Sequence, residues 1–429
     1  MKKSYMLLCI ALAVSGCVRK SELSFKEIHP PFASNSPAVI GLQRSDNTTQ
    51  QDCVNALWQR AQNQGTPLVE PDPDYDDYVF VTFLYRDSSS TDKIMFDIFG
   101  KYDEYRLGDM QLYRFRNTDL FYRSYTMPAD ICFSYRYIIE DTITGTRTLA
   151  VDPLNTNTVP TGTVHSYSWS ALDLTPPEHD LNSLNATTPD GTIDTLQYYS
   201  KIMDNTRDIH IWLPPHYTRH HYPGYPVIYL FDSFIYRNRV EVPNILSNLI
   251  NEGEISPMVA ILIDNPTSTS RNTELPLNDQ FMDFITNELV PYIRQKYNVS
   301  NQPEHNLIGG MSYGGLASAY IAWNHPELFG KVLSQSGSFW RGPILSDDHD
   351  NELREDWLPR QILNGDKRQL VFYLDWGLQE NKVLSSNRKL VDLLYKKGYE
   401  YKYQEFNGWH DWSNSRKTFP EGLLYLLKQ

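Results

Sequence analysis

The sequence predicts two structural units, an all-β sandwich followed by a mostly parallel α/β domain. Three observations predict them. Residues 75–185 carry several short β-rich runs separated by polar turns. Residues 186–429 alternate apolar strands with helical stretches, as a parallel sheet covered on both faces requires. Within that second part a strand-like run, a serine among glycines and a helical run follow one another at 306–323. A length of 429 residues suits two domains.

The N-terminus comes first in the chain and is separate from both units. Lys2 and Lys3 precede the apolar residues 5–14 and then Val14-Ser15-Gly16-Cys17. The apolar stretch is too short to span a membrane and reads as an export signal. It resembles a bacterial lipoprotein box, so residues 1–16 are expected to be removed and Cys17 to become the lipidated first residue. Val18 rather than Asp follows the cysteine, a pattern that goes with outer-membrane sorting. The expected location is the periplasm or outer membrane, with the lipid as the membrane contact. Residues 17–74 are expected to be a polar tether with a short helix at 51–64.

The sandwich strands are expected at 78–85, 93–99, 112–115, 120–126 and 131–139. A Thr/Ser/Pro-rich segment after Asp152-Pro153 closes that unit near residue 185. In the α/β unit strands are expected at 209–213, 226–231, 258–263, 305–309, 331–334, 370–375 and 401–406. Residues 277–297 repeat apolar positions at three- and four-residue spacing and predict an amphipathic helix.

The net charge of −13 argues against a nucleic-acid partner. No His/Cys/carboxylate cluster has metal-ligand spacing, and no cofactor is expected. Past the signal and Cys17 the remaining cysteines are Cys53 and Cys132, whose pairing the sequence leaves open.

Gly310-Met311-Ser312-Tyr313-Gly314 fits G-x-S-x-G between a strand and a helix, the arrangement of a nucleophile elbow in the α/β-hydrolase fold. A serine hydroxyl needs a base, and that fold orders serine, acid and histidine along the chain. His410, in a loop after the last strand, is the histidine left beyond the acid region. Asp375 and Glu380 are both candidates for the acid. Asp375 ends a strand, whereas Glu380 lies beyond Gly377 and is free to reach an imidazole, so Glu380 is preferred. The oxyanion donors are expected to be the N–H groups of Tyr313 and Phe234.

Further runs carry a resemblance. Leu333-Ser-Gln-Ser-Gly-Ser-Phe-Trp340, Arg271-Asn-Thr-Glu-Leu-Pro276, Leu230-Phe-Asp232 and Trp409-His410-Asp411 join the serine motif in resembling the enterochelin (enterobactin) esterases. Val81–Asp87, Val151–Asn155 and Ser170–Leu174 resemble the N-terminal β-sandwich domain of that family. The likeness covers about residues 75–429. It implies a serine esterase that opens the trilactone of catecholate siderophores, ferric or iron-free, for iron acquisition. It also supports Glu380 as the acid. The family's common Asp-Gly is Asp232-Ser233 here, and its tandem Trp is Trp340-Arg341. For a trianionic substrate with flat rings, Arg271, Arg237 and Trp340 are the expected contacts. Two alternatives remain open: a feruloyl or acetyl esterase of the same fold, and a surface lipoprotein that only binds a siderophore.

Overall fold

The computed structural model describes residues 23, 25–26, 32–46, 49–87, 93–100, 110–141, 143–159, 169–175, 188–220, 223–343 and 355–428. The export signal and Cys17 lie outside the described residues.

Ten antiparallel strands build the first unit. They are β1 (Phe32–Ser34), β2 (Leu68–Pro71), β3 (Tyr78–Arg86), β4 (Lys93–Ile98), β5 (Gln111–Arg114), β6 (Leu120–Pro128), β7 (Cys132–Glu140), β8 (Arg147–Ala150), β9 (Thr158–Val159) and β10 (Trp169–Asp173). The short β5 pairs with β6 through Tyr113 and Arg114, and with β4 through Leu112. It thereby joins two layers that face each other. Aromatic residues fill the space between them, with Phe83 of β3 stacked on Phe96 of β4 at 4.5 Å. Asp152 pins the crossing segment: its carboxylate accepts the Tyr135 and Tyr137 hydroxyls at 2.7 and 3.1 Å and the Thr66 hydroxyl at 2.5 Å.

The segment expected to be a tether contributes to this unit. β1 pairs with β6, and the helix Pro37–Gln43 starts at Ser36, whose hydroxyl accepts the Val39 N–H. The helix Gln50–Gln64 buries Val54, Leu57 and Ala61, one helical stripe, against Leu68, Leu84 and Leu120.

The second unit is an eight-stranded sheet in the order β11-β12-β14-β13-β15-β16-β17-β18. Its strands are β11 (Thr192–Ser200), β12 (Asn205–Leu213), β13 (Val227–Phe231), β14 (Val259–Ile263), β15 (Asn306–Met311), β16 (Lys331–Gln335), β17 (Val371–Gly377) and β18 (Glu400–Phe406). β11 and β12 are antiparallel, and all pairings from β14 to β18 are parallel. β13 to β16 are buried along their whole length, which explains their unbroken apolar runs. Along β13, Val227, Tyr229 and Phe231 face one core while Ile228 and Leu230 face the other. The expected helix at 277–297 runs from Asp279 to Lys296, with a wider π turn over Phe284–Leu289.

After β18 the chain leaves the sheet and packs against β7. The Cys132 N–H donates to Asn407 O at 3.2 Å, and Trp409 is 1% exposed inside the sandwich core, edge-on to Phe133. Cys132 and Cys53 are both free thiols.

Candidate active site

Ser312 sits between β15 and the helix Tyr313–Asn324 with φ 62° and ψ −120°. This is a strained conformation for a residue with a side chain, of the kind that costs about 1–3 kcal/mol and occurs at working sites. The turn is held by the Ser312 N–H donating to Gln335 O at 2.9 Å and the Ser338 N–H donating to Ser312 O at 3.0 Å. Small residues are needed around it for packing. A Cβ on Gly310 would lie 2.7 Å from the Gly314 carbonyl carbon, and one on Gly315 would lie 2.5 Å from Ser334 Oγ. The helix is buried on nearly every side, so it is apolar all round and directs its N-terminus at the serine.

Glu380 and His410, the expected acid and base, pair with each other. His410 Nδ1 lies 2.5 Å from Glu380 Oε2, with side-chain exposures of 7% and 1%. The other carboxylate oxygen, Oε1, accepts the Gly377 N–H at 2.6 Å and the Ser336 hydroxyl at 2.7 Å, so the buried acid is fully engaged. Asp375, the alternative, turns into the sheet interior, where Gln335 Nε2 donates to it at 3.3 Å. Burial pushes its carboxyl up to about 7.

The run Leu333–Trp340 acquires physical roles that sequence reasoning could not give it. The Gln335 carbonyl receives the Ser312 N–H, the Ser336 hydroxyl donates to Glu380, and Ser338 Oγ lies 3.2 Å from Ser312 Oγ. Trp340 follows, partly buried, with Lys382 Nζ 5.7 Å from its ring centre.

Tyr313 occupies the first helical position, where its N–H has no intrahelical acceptor and is available to an oxyanion. Phe234 requires a correction: its N–H donates to Asp264 Oδ1 at 2.9 Å. That carboxylate lies 3.4 Å from His210 Nδ1, and burial pushes its affinity for a proton up. Ser233 Oγ lies 3.0 Å from the same His210 nitrogen and accepts from Arg237 Nε at 3.2 Å.

Arg271 stands in an ion pair. Its Nε and Nη2 grip the two oxygens of Asp232 at 2.6 and 2.7 Å, and its guanidinium lies 5.9 Å from the Tyr313 ring centre. Glu274, three residues on, is buried against Arg207 at 3.0 Å. The Arg-x-x-Glu pattern is therefore two ion pairs that fasten the helix Ser268–Glu274 to Asp232 after β13 and to Arg207 of β12. A cleft of about 650 Å³ opens there, lined by Phe234, Asp264 and Arg271 among others.

Comparison with known proteins bears on the family and the fold. Residues 200–426 match the family described as putative esterase, and residues 80–181 match the enterochelin esterase N-terminal domain. The iron(III) enterobactin esterase of Dickeya dadantii is 26% identical over 408 residues, covering 87% of this chain and 92% of that protein. Two solved structures share the fold. One is the ferric enterobactin esterase of Salmonella typhimurium, with a TM-score of 0.72, 23% identity and coverage of 87% of this chain and 98% of that one. The other is the enterobactin esterase of Shigella flexneri in the presence of enterobactin, with a TM-score of 0.70, 23% identity and the same coverage. With the elbow, the acid–base pair and the family match in hand, this chain belongs to the putative esterase family as a serine ester hydrolase, preceded by an enterochelin-esterase N-terminal domain.

Proposed function

We propose that this esterase hydrolyses the serine ester bonds of cyclic catecholate siderophores of the enterobactin type. The observation that carries this reading is the 2.5 Å pair of His410 and Glu380, in a chain that sets Ser312 on a strained strand-to-helix turn and whose N-terminal domain matches the enterochelin esterases. Ser312 Oγ attacks an ester carbonyl while His410 Nε2 takes its proton. Glu380 holds the Nδ1–H and stabilises the imidazolium. The Tyr313 N–H faces the developing oxyanion, helped by the positive end of its helix. His410 returns the proton to the departing seryl oxygen, and water then cleaves the acyl-Ser312 by the reverse sequence of proton transfers. Trp340, Arg237 and Arg271 are the side chains assigned to the rings and charge of such a substrate.

The chain acts in the periplasm or at the outer membrane, held there by lipid on Cys17. Leu23 and Phe25 pack on the hydrolase core, and the Lys26 N–H donates to Glu405 Oε2 at 2.7 Å. The leash from Cys17 to Leu23 would be at most roughly 20 Å when extended.

The test is incubation of ferric and iron-free enterobactin with the mature protein and with Ser312→Ala, followed by mass spectrometry. Linear and monomeric dihydroxybenzoylserine from the native protein alone supports the reading. An intact trilactone beside a hydrolysed aryl ester, or beside released ferulate or acetate from decorated sugars, would replace it.

A further inference from the structure

His410 pairs with Glu380 and lies in the loop Asn407–Asp411, which is gripped from both sides. On the hydrolase side the Gly408 N–H donates to Gln379 Oε1 at 2.7 Å, in the same turn that carries Glu380. On the other side stands the sandwich domain, more than 270 residues earlier in the chain. There the Cys132 N–H donates to Asn407 O at 3.2 Å, and the Ser134 N–H donates to Asp411 Oδ2 at 2.6 Å. Asn407 Nδ2 donates to Asp130 Oδ1 at 2.7 Å, and Asn414 Nδ2 donates to Cys132 O at 3.2 Å. Between them Trp409 enters the sandwich core and meets Phe133 edge-on at 5.0 Å between ring centres.

The sandwich domain also faces His410 itself. Gly100, just past β4, has φ +69° and faces the histidine backbone. A Cβ there would lie 2.0 Å from His410 O and 2.9 Å from His410 Cβ. No side chain fits between the sandwich backbone and the base. Contacts that merely glued two domains together would have no need to bracket the catalytic residue at 407, 409 and 411 and to touch it directly.

We propose that the sandwich domain sets the position of the general base, with Gly100, Phe133 and the β7 backbone at Cys132–Ser134 acting as positioning residues for His410. This rests on the assignment of His410 as the base. A displacement of about 1 Å in such a group costs roughly a hundredfold in rate.

The test uses the full chain and a small activated aryl ester, which makes few demands on the siderophore cleft. Gly100→Ala is expected to lower kcat roughly a hundredfold with KM little changed. Combined with His410→Ala it is expected to add nothing, because the group it displaces is gone. Val81→Ala, in the same sandwich core but away from the loop, is expected to lower Tm and leave kcat unchanged. If Gly100→Ala does not fold, Phe133→Leu, which loosens the Trp409 seat, is read through the same cycle. Unchanged kcat overturns the proposal, as does an equal loss with and without His410. So does a loss in Val81→Ala that matches the positioning variants at equal loss of Tm. A kcat unaffected by His410→Ala alone would instead remove the base assignment, and the proposal with it.

Discussion

His410 Nδ1 and Glu380 Oε2 lie 2.5 Å apart, and the remaining oxygen of that carboxylate is claimed by Gly377 and Ser336. Glu380 is thus held by its own turn and by the residue just past β16 as well as by the imidazole. Glu380→Gln keeps the shape but can offer Nδ1 a donor where an acceptor is needed. We expect kcat on an aryl ester to fall by roughly 10³–10⁴-fold with the fold intact by circular dichroism. Asp375→Asn should stay within a few-fold of the native rate. If the two variants exchange these outcomes, Asp375 is the acid.

The elbow predicts an asymmetry among its glycines. A Cβ on Gly315 meets Ser334 Oγ at 2.5 Å, whereas one on Gly314 finds its nearest neighbour at 3.6 Å, ordinary contact distance. Gly315→Ala should therefore abolish activity or soluble expression, and Gly314→Ala should retain both. Fluorophosphonate labelling of Ser312 reads the difference directly. Equal labelling of the two variants would contradict the geometry.

Arg207 has a side chain with no exposure and pairs with Glu274, which is 6% exposed. Its guanidinium also lies 4.5 Å from the Phe284 ring centre. Removing one partner leaves a buried charge uncompensated, a cost of about 3–5 kcal/mol. Glu274→Ala should show that loss in a denaturant midpoint. Replacing both residues with leucine and methionine should recover much of it. A midpoint unmoved by Glu274→Ala would mean that water reaches the guanidinium.

Asp375 makes stability depend on pH. Its folded carboxyl titrates at about 7, raised by burial, while an unfolded aspartate titrates near 4. Between those values the unfolded chain releases a proton that the folded one keeps, so stability falls as pH rises from about 4 to about 7. The full effect is on the order of 4 kcal/mol. Asp375→Asn should remove this slope, measured as denaturation midpoints at pH 5 and pH 8. An unchanged slope in the variant would assign it to other groups.

Much of this was legible in the sequence because its causes are local. β13, β14 and β17 announce themselves as apolar runs, and the serine turn is marked by glycines whose backbone closeness the structure explains. The order serine, glutamate, histidine could be read along the chain. What could not be read involves partners far apart or elements without an apolar signature. β11 is mostly exposed and pairs on one side, so its residues carry no core pattern. β1 and the helix Pro37–Gln43 sit in a polar stretch, and the helix itself buries Val39 and Leu42. Arg271 reads as a cation until Asp232 is found beside it, and Phe234 reads as a free donor until Asp264 is found. Trp409 stands next to His410 in the sequence, yet its neighbours are Phe133 and the sandwich core.

Trp409 also has a bearing on synthesis. The sandwich core closes on a tryptophan made long after its own strands. Until Trp409 arrives, that domain lacks a piece of its interior, and the same loop carries His410 for the hydrolase domain.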